Sequence, residues 1–443
     1  MALVNATGLW TGAALNSTAN FNAGTAGEVF IDERDRGVLR RLAEKIAFYA
    51  DRPEEREKRE LWRKHNDLEP TRPIVFCDPE NGWNEIITED QLLCRGTLAR
   101  RWEIVMRKEI FWVEQMKDDK VIEPYFDIGY THTEDDWGVH IEQLEGKGGS
   151  YVWDAALKDD KDLERLHAPV FEIDFETTNR TIEVAENIFG DLLTVRLVGI
   201  WWWSLGMTLD LALLRGLEQM MYDMMERPEL VHRIMGILRD GYMKKLDYLE
   251  ENGLLSSNTD QYVGSGGFGY TNQLPNEKGT GKIITEEMWG FCESQETVGV
   301  SPDMFAEFIF PYQLSLLQRF GLNCYGCCEP LDSRWHVIKK IPNLRRVSVS
   351  PWADLGKMAD YLEDKYVFSM KPPPSDLARS AIDEAAIRKK LRKALEITSG
   401  CRVEIIMKDN HTIGNNPENV IRWTKIAREE AERVGDDTKR AST

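Results

Sequence analysis

The sequence predicts an α/β protein, a (β/α)8 TIM barrel with an N-terminal helical extension and insertions. From about residue 190 onward, short apolar runs of strand length alternate with charged stretches long enough for a helix. No two of those runs lie together as a sustained strand pair. With the run at 74–77 included, the strand-like segments number about eight, as a closed barrel requires. A doubly wound parallel sheet is the alternative that the pattern leaves open.

Residues 1–70 read as an N-terminal arm and helical extension. Within them Ile31 to His65 is strongly charged, and Leu39, Leu42, Ile46, Phe48 and Tyr49 recur at roughly helical spacing. After Arg72-Pro73, Ile74-Val75-Phe76-Cys77 is an apolar run closed by Asp78-Pro79, a buried strand. Residues 86–170 mix charged helices with aromatic patches at Phe111-Trp112, Tyr125-Phe126 and Trp137. Further strands are expected at 193–199, 257–263, 288–292, 322–325, 345–349, 366–370 and 402–407. Helices are expected at 216–250, 301–320, 353–364, 382–398 and 417–434. Ser301-Pro302-Asp303 marks one helix start, with a hydroxyl at the N-cap, proline next and an acid in the first turn. The barrel spans 71–435, and 436–443 is a polar tail.

Composition excludes several classes. Hydrophobic residues make up 42% and charged residues 30%, as in ordinary globular chains. Lys plus Arg is 56 against 75 for Asp plus Glu, a net charge of −19 that repels phosphate backbones and anionic lipid. Neither nucleic acid nor a membrane is an expected partner. The most apolar stretch, Leu193 to Leu214, contains Arg196 and Asp210, whereas a membrane-spanning helix needs roughly 20 nearly uncharged residues. Met1 to Gly27 has no Lys or Arg and no continuous apolar core, unlike a secretory signal. Seven cysteines, an odd number with a central cluster, favour metal or thiol chemistry over disulfides, so the expected compartment is the cytoplasm.

Gly264-Ser265-Gly266-Gly267-Phe268-Gly269 has the spacing of a dinucleotide fingerprint, but no helix can start in the residues that follow. A flexible active-site loop is the expectation there. The strongest constellation lies between 288 and 332. Cys292 closes one strand, Glu307 lies on the next helix, and Cys324, Tyr325, Cys327, Cys328 and Glu329 close the following strand. Thiolates with a carboxylate make a zinc set, and three protein ligands with one open position is the catalytic pattern. Buried cysteines that merely pack, with Glu307 a solvated helix residue, explain the same letters equally well. Lys408-Asp409-Asn410-His411-Thr412 follows the last strand and Asp78-Pro79-Glu80-Asn81-Gly82-Trp83 the first, both polar turns at strand ends. Trp201-Trp202-Trp203 is a candidate aromatic wall, with core packing as likely a role.

Residues 185–435 resemble the uroporphyrinogen decarboxylase superfamily, and within it the corrinoid-dependent methyltransferases. The markers are Leu214 to Glu218, Arg227-Pro228-Glu229 to His232, Gln295 ahead of Ser301 to Phe305, and Pro417-Glu418-Asn419. True decarboxylases carry an Arg-rich motif near the first strand. Here Phe76 to Trp83 is acidic and aromatic, which cannot clamp a polycarboxylate. The substrate methyltransferases of anaerobic O-demethylase systems carry a Glu-x14-Glu-x20-His zinc motif. In that register this chain reads Cys292, Glu307 and Cys328. Relatives that methylate coenzyme M use His-x-Cys and a later Cys, which implies a second set: Cys327 or Cys328 with Asp409 or His411.

The resemblance implies transfer of a methyl group from a small-molecule donor, with a methoxylated aromatic favoured, to the cobalt of a corrinoid-binding partner protein. Zn2+ would be the resident cofactor. Asp409, His411 and Glu329 are the implied catalytic residues. Asn81, Trp83, Trp202, Asp260 and Tyr325 are the implied substrate contacts. Homodimerisation is left open. Two other readings remain: a methylcorrinoid:thiol methyltransferase, and a non-catalytic ligand-binding homologue.

Overall fold

The computed structural model describes residues 21–135, 137–144, 152–159, 161–274 and 281–441. Eight short strands organise it: β1 (Ile74–Cys77), β2 (Tyr125–Ile128), β3 (Thr194–Leu197), β4 (Trp289–Cys292), β5 (Leu322–Tyr325), β6 (Leu344–Val349), β7 (Val367–Met370) and β8 (Arg402–Met407). Strands β4 to β8 pair in chain order, each parallel to the next, and β8 then pairs in parallel with β1, Ile74 opposite Glu404. First strand beside last is the neighbourhood a ring makes and an open doubly wound sheet does not. β2 and β3 form a separate parallel pair. Parallel strands covered on both faces read as continuous apolar runs, as β1 and β4 do.

Among the described residues no backbone ladder joins β1 to β2 or β3 to β4, so the expected ring is not closed by main-chain pairing. Side chains work at both seams. Asp119 Oδ2 accepts from Val75 N at 2.8 Å and Asp118 Oδ2 from Cys77 N at 3.0 Å. Across the other seam, Asn258 Nδ2 donates to Trp289 O at 2.9 Å and its Oδ1 accepts from Trp289 N at 3.0 Å. Asn258 thus gives β4 the two bonds that a neighbouring strand would have supplied.

Two sequence expectations need correction here. Residues 257–263 are not a sheet strand. Their second half, with the glycine motif, forms a tight hairpin: Tyr262 bridges Phe268, and Val263 N donates to Gly267 O at 3.1 Å. Nor is the glycine motif a flexible loop, because residues 263–270 are all buried. They pack between the inner face of the sheet and the helix Pro53–Asn66, which a side chain at either central glycine would prevent. A Cβ on Gly267 would stand 2.2 Å from the Trp62 ring, and one on Gly266 2.4 Å from Arg346 Cδ. The pattern also missed β2, whose Asp127 is paired by Arg196 from β3 at 2.7 Å. It missed as well two short antiparallel pairs outside the main sheet, His132–Glu134 with Phe171–Ile173 and Glu142–Leu144 with Val152–Asp154.

The helix layer follows the expected punctuation. Ser301 Oγ accepts from Met304 N at 3.2 Å and caps Pro302–Phe308. The expected helix 301–320 divides there, because Pro311 opens a second segment, Phe310–Leu317. The expected helix 216–250 likewise divides, because Pro228 separates Leu217–Glu226 from Pro228–Glu251. The last helix, Glu418–Ala441, runs on through most of the expected polar tail. Among the described residues no helix is long and apolar enough to cross a membrane.

Candidate metal centre

Two turns at the C-terminal ends of β5 and β8 build the site. After β5 the chain turns at Gly326, whose φ of +93° suits glycine; its N–H donates to Cys292 O at 2.9 Å. Cys327 is then fixed from both sides: its N–H donates to Glu329 Oε2 at 2.9 Å, and its carbonyl accepts from Ser348 Oγ at 3.1 Å. After β8, Asp409 has φ +61°, and its N–H donates to Glu80 Oε2 at 3.0 Å. Glu80, in the turn after the adjoining β1, has φ +49°. Left-handed backbone at two non-glycine residues in contact is strain of the kind that gathers at functional sites.

These turns bring three donors together. Cys327 Sγ lies 3.6 Å from Cys328 Sγ, Cys328 Sγ lies 3.5 Å from Asp409 Oδ2, and all three ligand atoms fall within 4.8 Å of one another. A tetrahedral zinc with Zn–S of ~2.3 Å and Zn–O of ~2.1 Å sets its sulfurs ~3.8 Å apart and sulfur to oxygen ~3.6 Å. The donor set fits such an ion. Cys327 is buried, whereas Cys328 and Asp409 are half-buried and open the set to the rim.

The electrostatics run the same way. The Cys327 thiol is pushed well above its ordinary value by the hydrogen bond with Cys328, by burial and by the Asp409 and Glu329 carboxylates. Burial raises Glu80 to about 7, with Asp409 and Asp78 adding to it and Lys408 opposing. Burial works against the Lys408 charge, but Glu80, Asp78 and Asp409 outweigh it and hold the ammonium above its usual value. Negative groups are in excess, which is the imbalance a divalent cation relieves.

The other expected residues are distributed as follows. Cys292, Glu307 and Cys328 are not brought together. Cys292 is in register with Tyr325 on the helix side of the sheet, and Glu307 is 61% exposed on its helix, 3.9 Å from His232. Tyr325 is buried on that side too, its OH donating to Gln313 Oε1 at 2.7 Å, so it turns away from the rim. Glu329 is buried and spends its oxygens on Cys327 N, Ser294 N and Ser294 Oγ, holding the turn. His411 is exposed just beyond Asp409. Asn81 is half-buried in the turn with Glu80, and Trp83 is buried, its Nε1 donating to Asp78 Oδ1 at 2.8 Å. Trp202 packs edge-on against Phe320, which precedes β5 at the opposite end of that strand. Asp260 pairs with Arg196 at 2.7 Å, far along the β2–β3 pair. Glu80 and Lys408 were inside the two polar turns singled out from the sequence, but only the β1–β8 pairing shows that those turns meet.

No family model matches the chain, and no curated protein matches it in sequence. Among solved structures, the chain is similar to a methyltransferase from Methanosarcina mazei. The identity is 11%, the match covers 84% of this chain and 97% of that one, and the TM-score is 0.46. A likeness of that degree assigns neither activity nor ligand.

Proposed function

We propose that the protein is a zinc-dependent methyltransferase that moves a methyl group from a small methylated substrate, first of all a methoxylated aromatic, to the cobalt of a separate corrinoid protein. One observation carries the reading: Cys327, Cys328 and Asp409 form an open-rimmed donor set at strand ends, within the ligand positions that the resemblance to corrinoid-dependent methyltransferases implies. These three residues would hold the ion. When bound, zinc supplies Lewis acidity to the heteroatom that the methyl group leaves.

The chain's own residues do the rest. The Asp409 N–H bond to Glu80 fixes the ligand turn, and Glu329 fixes the thiol turn. Glu80 Oε1, 3.7 Å from Lys408 Nζ, is the group placed to hold a proton for the departing oxygen. Lys408 keeps positive charge beside it.

Metal analysis combined with a cobalamin assay tests this. Wild-type protein is expected to carry about one zinc per chain and to convert cob(I)alamin to methylcob(III)alamin with a dimethoxybenzoate; Cys328→Ser and Asp409→Asn lose both. Absence of stoichiometric zinc, unchanged by Cys328→Ser, would leave the non-catalytic reading. Zinc-dependent methylation of homocysteine or coenzyme M without demethylation would leave the thiol methyltransferase.

A further inference from the structure

We propose that Cys327 and Cys328 are also a reversible thiol–disulfide modification site, closing on each other as a bond between adjacent residues. The two sulfurs stand 3.6 Å apart, and the backbone around them is held by the Glu329, Ser348 and Cys292 contacts, so the pair is presented rather than met by chance. Cys328 is half-buried and open to a small oxidant, while Cys327 is buried behind it and sheltered from one. Cys77, Cys94, Cys292 and Cys324 are all buried, and Cys401 lies against Ala359 O, so the accessible partner of Cys328 is its own neighbour. Adjacent residues hold their Cα atoms ~3.8 Å apart, below the usual ~4.4–6.8 Å span of a disulfide, and such a strained bond is readily reduced again.

The oxidant is a low-molecular-weight disulfide such as glutathione disulfide. The Cys328 thiolate attacks one of its sulfurs, forming a mixed disulfide and releasing one glutathione thiolate. The Cys327 sulfur then attacks the Cys328 sulfur, the Cys327–Cys328 bond forms and the second glutathione thiolate leaves. The protein loses two electrons and two protons, and glutathione disulfide gains them to become two glutathione molecules. The consequence, loss of two of three metal donors, rests on the zinc reading above; the bond itself does not.

The test uses full-length, metal-free protein held anaerobically in glutathione buffers, then denatured, alkylated and mapped by mass spectrometry. The expected result is loss of two of the seven alkylatable thiols, both in the peptide containing 327–328, without a glutathione adduct and reversed by dithiothreitol. Cys327→Ser should stop at a glutathione adduct on Cys328. A stable adduct on Cys328 in the wild type, a bond between chains, or full alkylation at every buffer ratio would overturn the proposal. Stoichiometric zinc with a pair that never oxidises defeats this inference alone; an internal bond in a protein that binds no zinc defeats the zinc reading alone.

Discussion

Arg346 and Glu404 lie on the inner face of the sheet where the glycine hairpin returns, both wholly buried, with Nε to Oε1 at 3.1 Å. His65 Nε2 is 3.5 Å from the other oxygen, Gly267 N donates to Glu404 Oε1 at 3.1 Å, and Arg346 Nη2 bonds Asn66 Oδ1 and Phe268 O. Five residues further on, just past the end of β8, Asp409 joins two thiols and faces Glu80, with Lys408 beside them. Burial opposes ionisation of Glu404 as it does that of Glu80. Arg346 and His65 reverse it at the first position and hold Glu404 well below the carboxylate range, while at the second Lys408 is opposed by Asp409 and Asp78 and burial prevails. Matched charge clamps the hairpin; unmatched charge at a half-open rim marks a place for a cation.

That contrast can be broken at its strong end first. Glu404→Ala strands a buried guanidinium and is expected to cost ~3–5 kcal/mol in denaturant unfolding. With the folded Glu404 value depressed, its stabilisation is present above the ordinary 4.5 and lost as pH falls further, so the gap between wild type and Glu404→Gln should close under acid. A gap that stays constant would refute the matched-charge account. Zinc at about a hundredfold excess over Kd should then stabilise wild-type protein by ~2.7 kcal/mol, and Cys328→Ser should abolish the shift. Gly267→Ala drives a methyl into Trp62 and should cost ~1–3 kcal/mol without changing zinc content. Burial lowers Lys371 to about 8, with Nζ donating to Ser369 Oγ at 3.0 Å. Wild type should therefore gain on Lys371→Met by up to ~1.4 kcal/mol per pH unit as pH rises from about 8 toward 10.5. The smallest effect belongs to Glu307→Gln, within ~0.5 kcal/mol and with zinc content unchanged, because that side chain is solvated. Loss of zinc in Glu307→Gln would restore the set with Cys292.

Strand existence was legible wherever burial on both faces leaves an unbroken apolar run, as at Ile74–Cys77 and Trp289–Cys292. It was illegible at Tyr125–Ile128, where Asp127 interrupts the run and is neutralised by an arginine 69 residues away. Conversely, 257–263 was expected as a strand, yet among its residues Val263 alone is buried, and it is buried in a hairpin rather than in the sheet. The polar turns at strand ends were nameable from the sequence, and the family resemblance offered Cys327 or Cys328 with Asp409 or His411 as a second set, but not both thiols with Asp409. The choice between it and the Cys292 set depended on which face each side chain takes.

Linear order determined the alternation of strands and helices, the helix start at Ser301, and the polar turns where chemistry could sit, since those follow from local periodicity, capping and backbone preference. Tertiary structure alone decided that the first strand lies beside the last and that the glycine motif is a buried plug. It also decided that Cys292 turns to the helices while Cys327, Cys328 and Asp409 converge. Those outcomes depend on register and on contacts between residues far apart in the chain, 81 positions for Cys328 and Asp409 and several times that for β1 and β8, and a chain read locally carries no record of either.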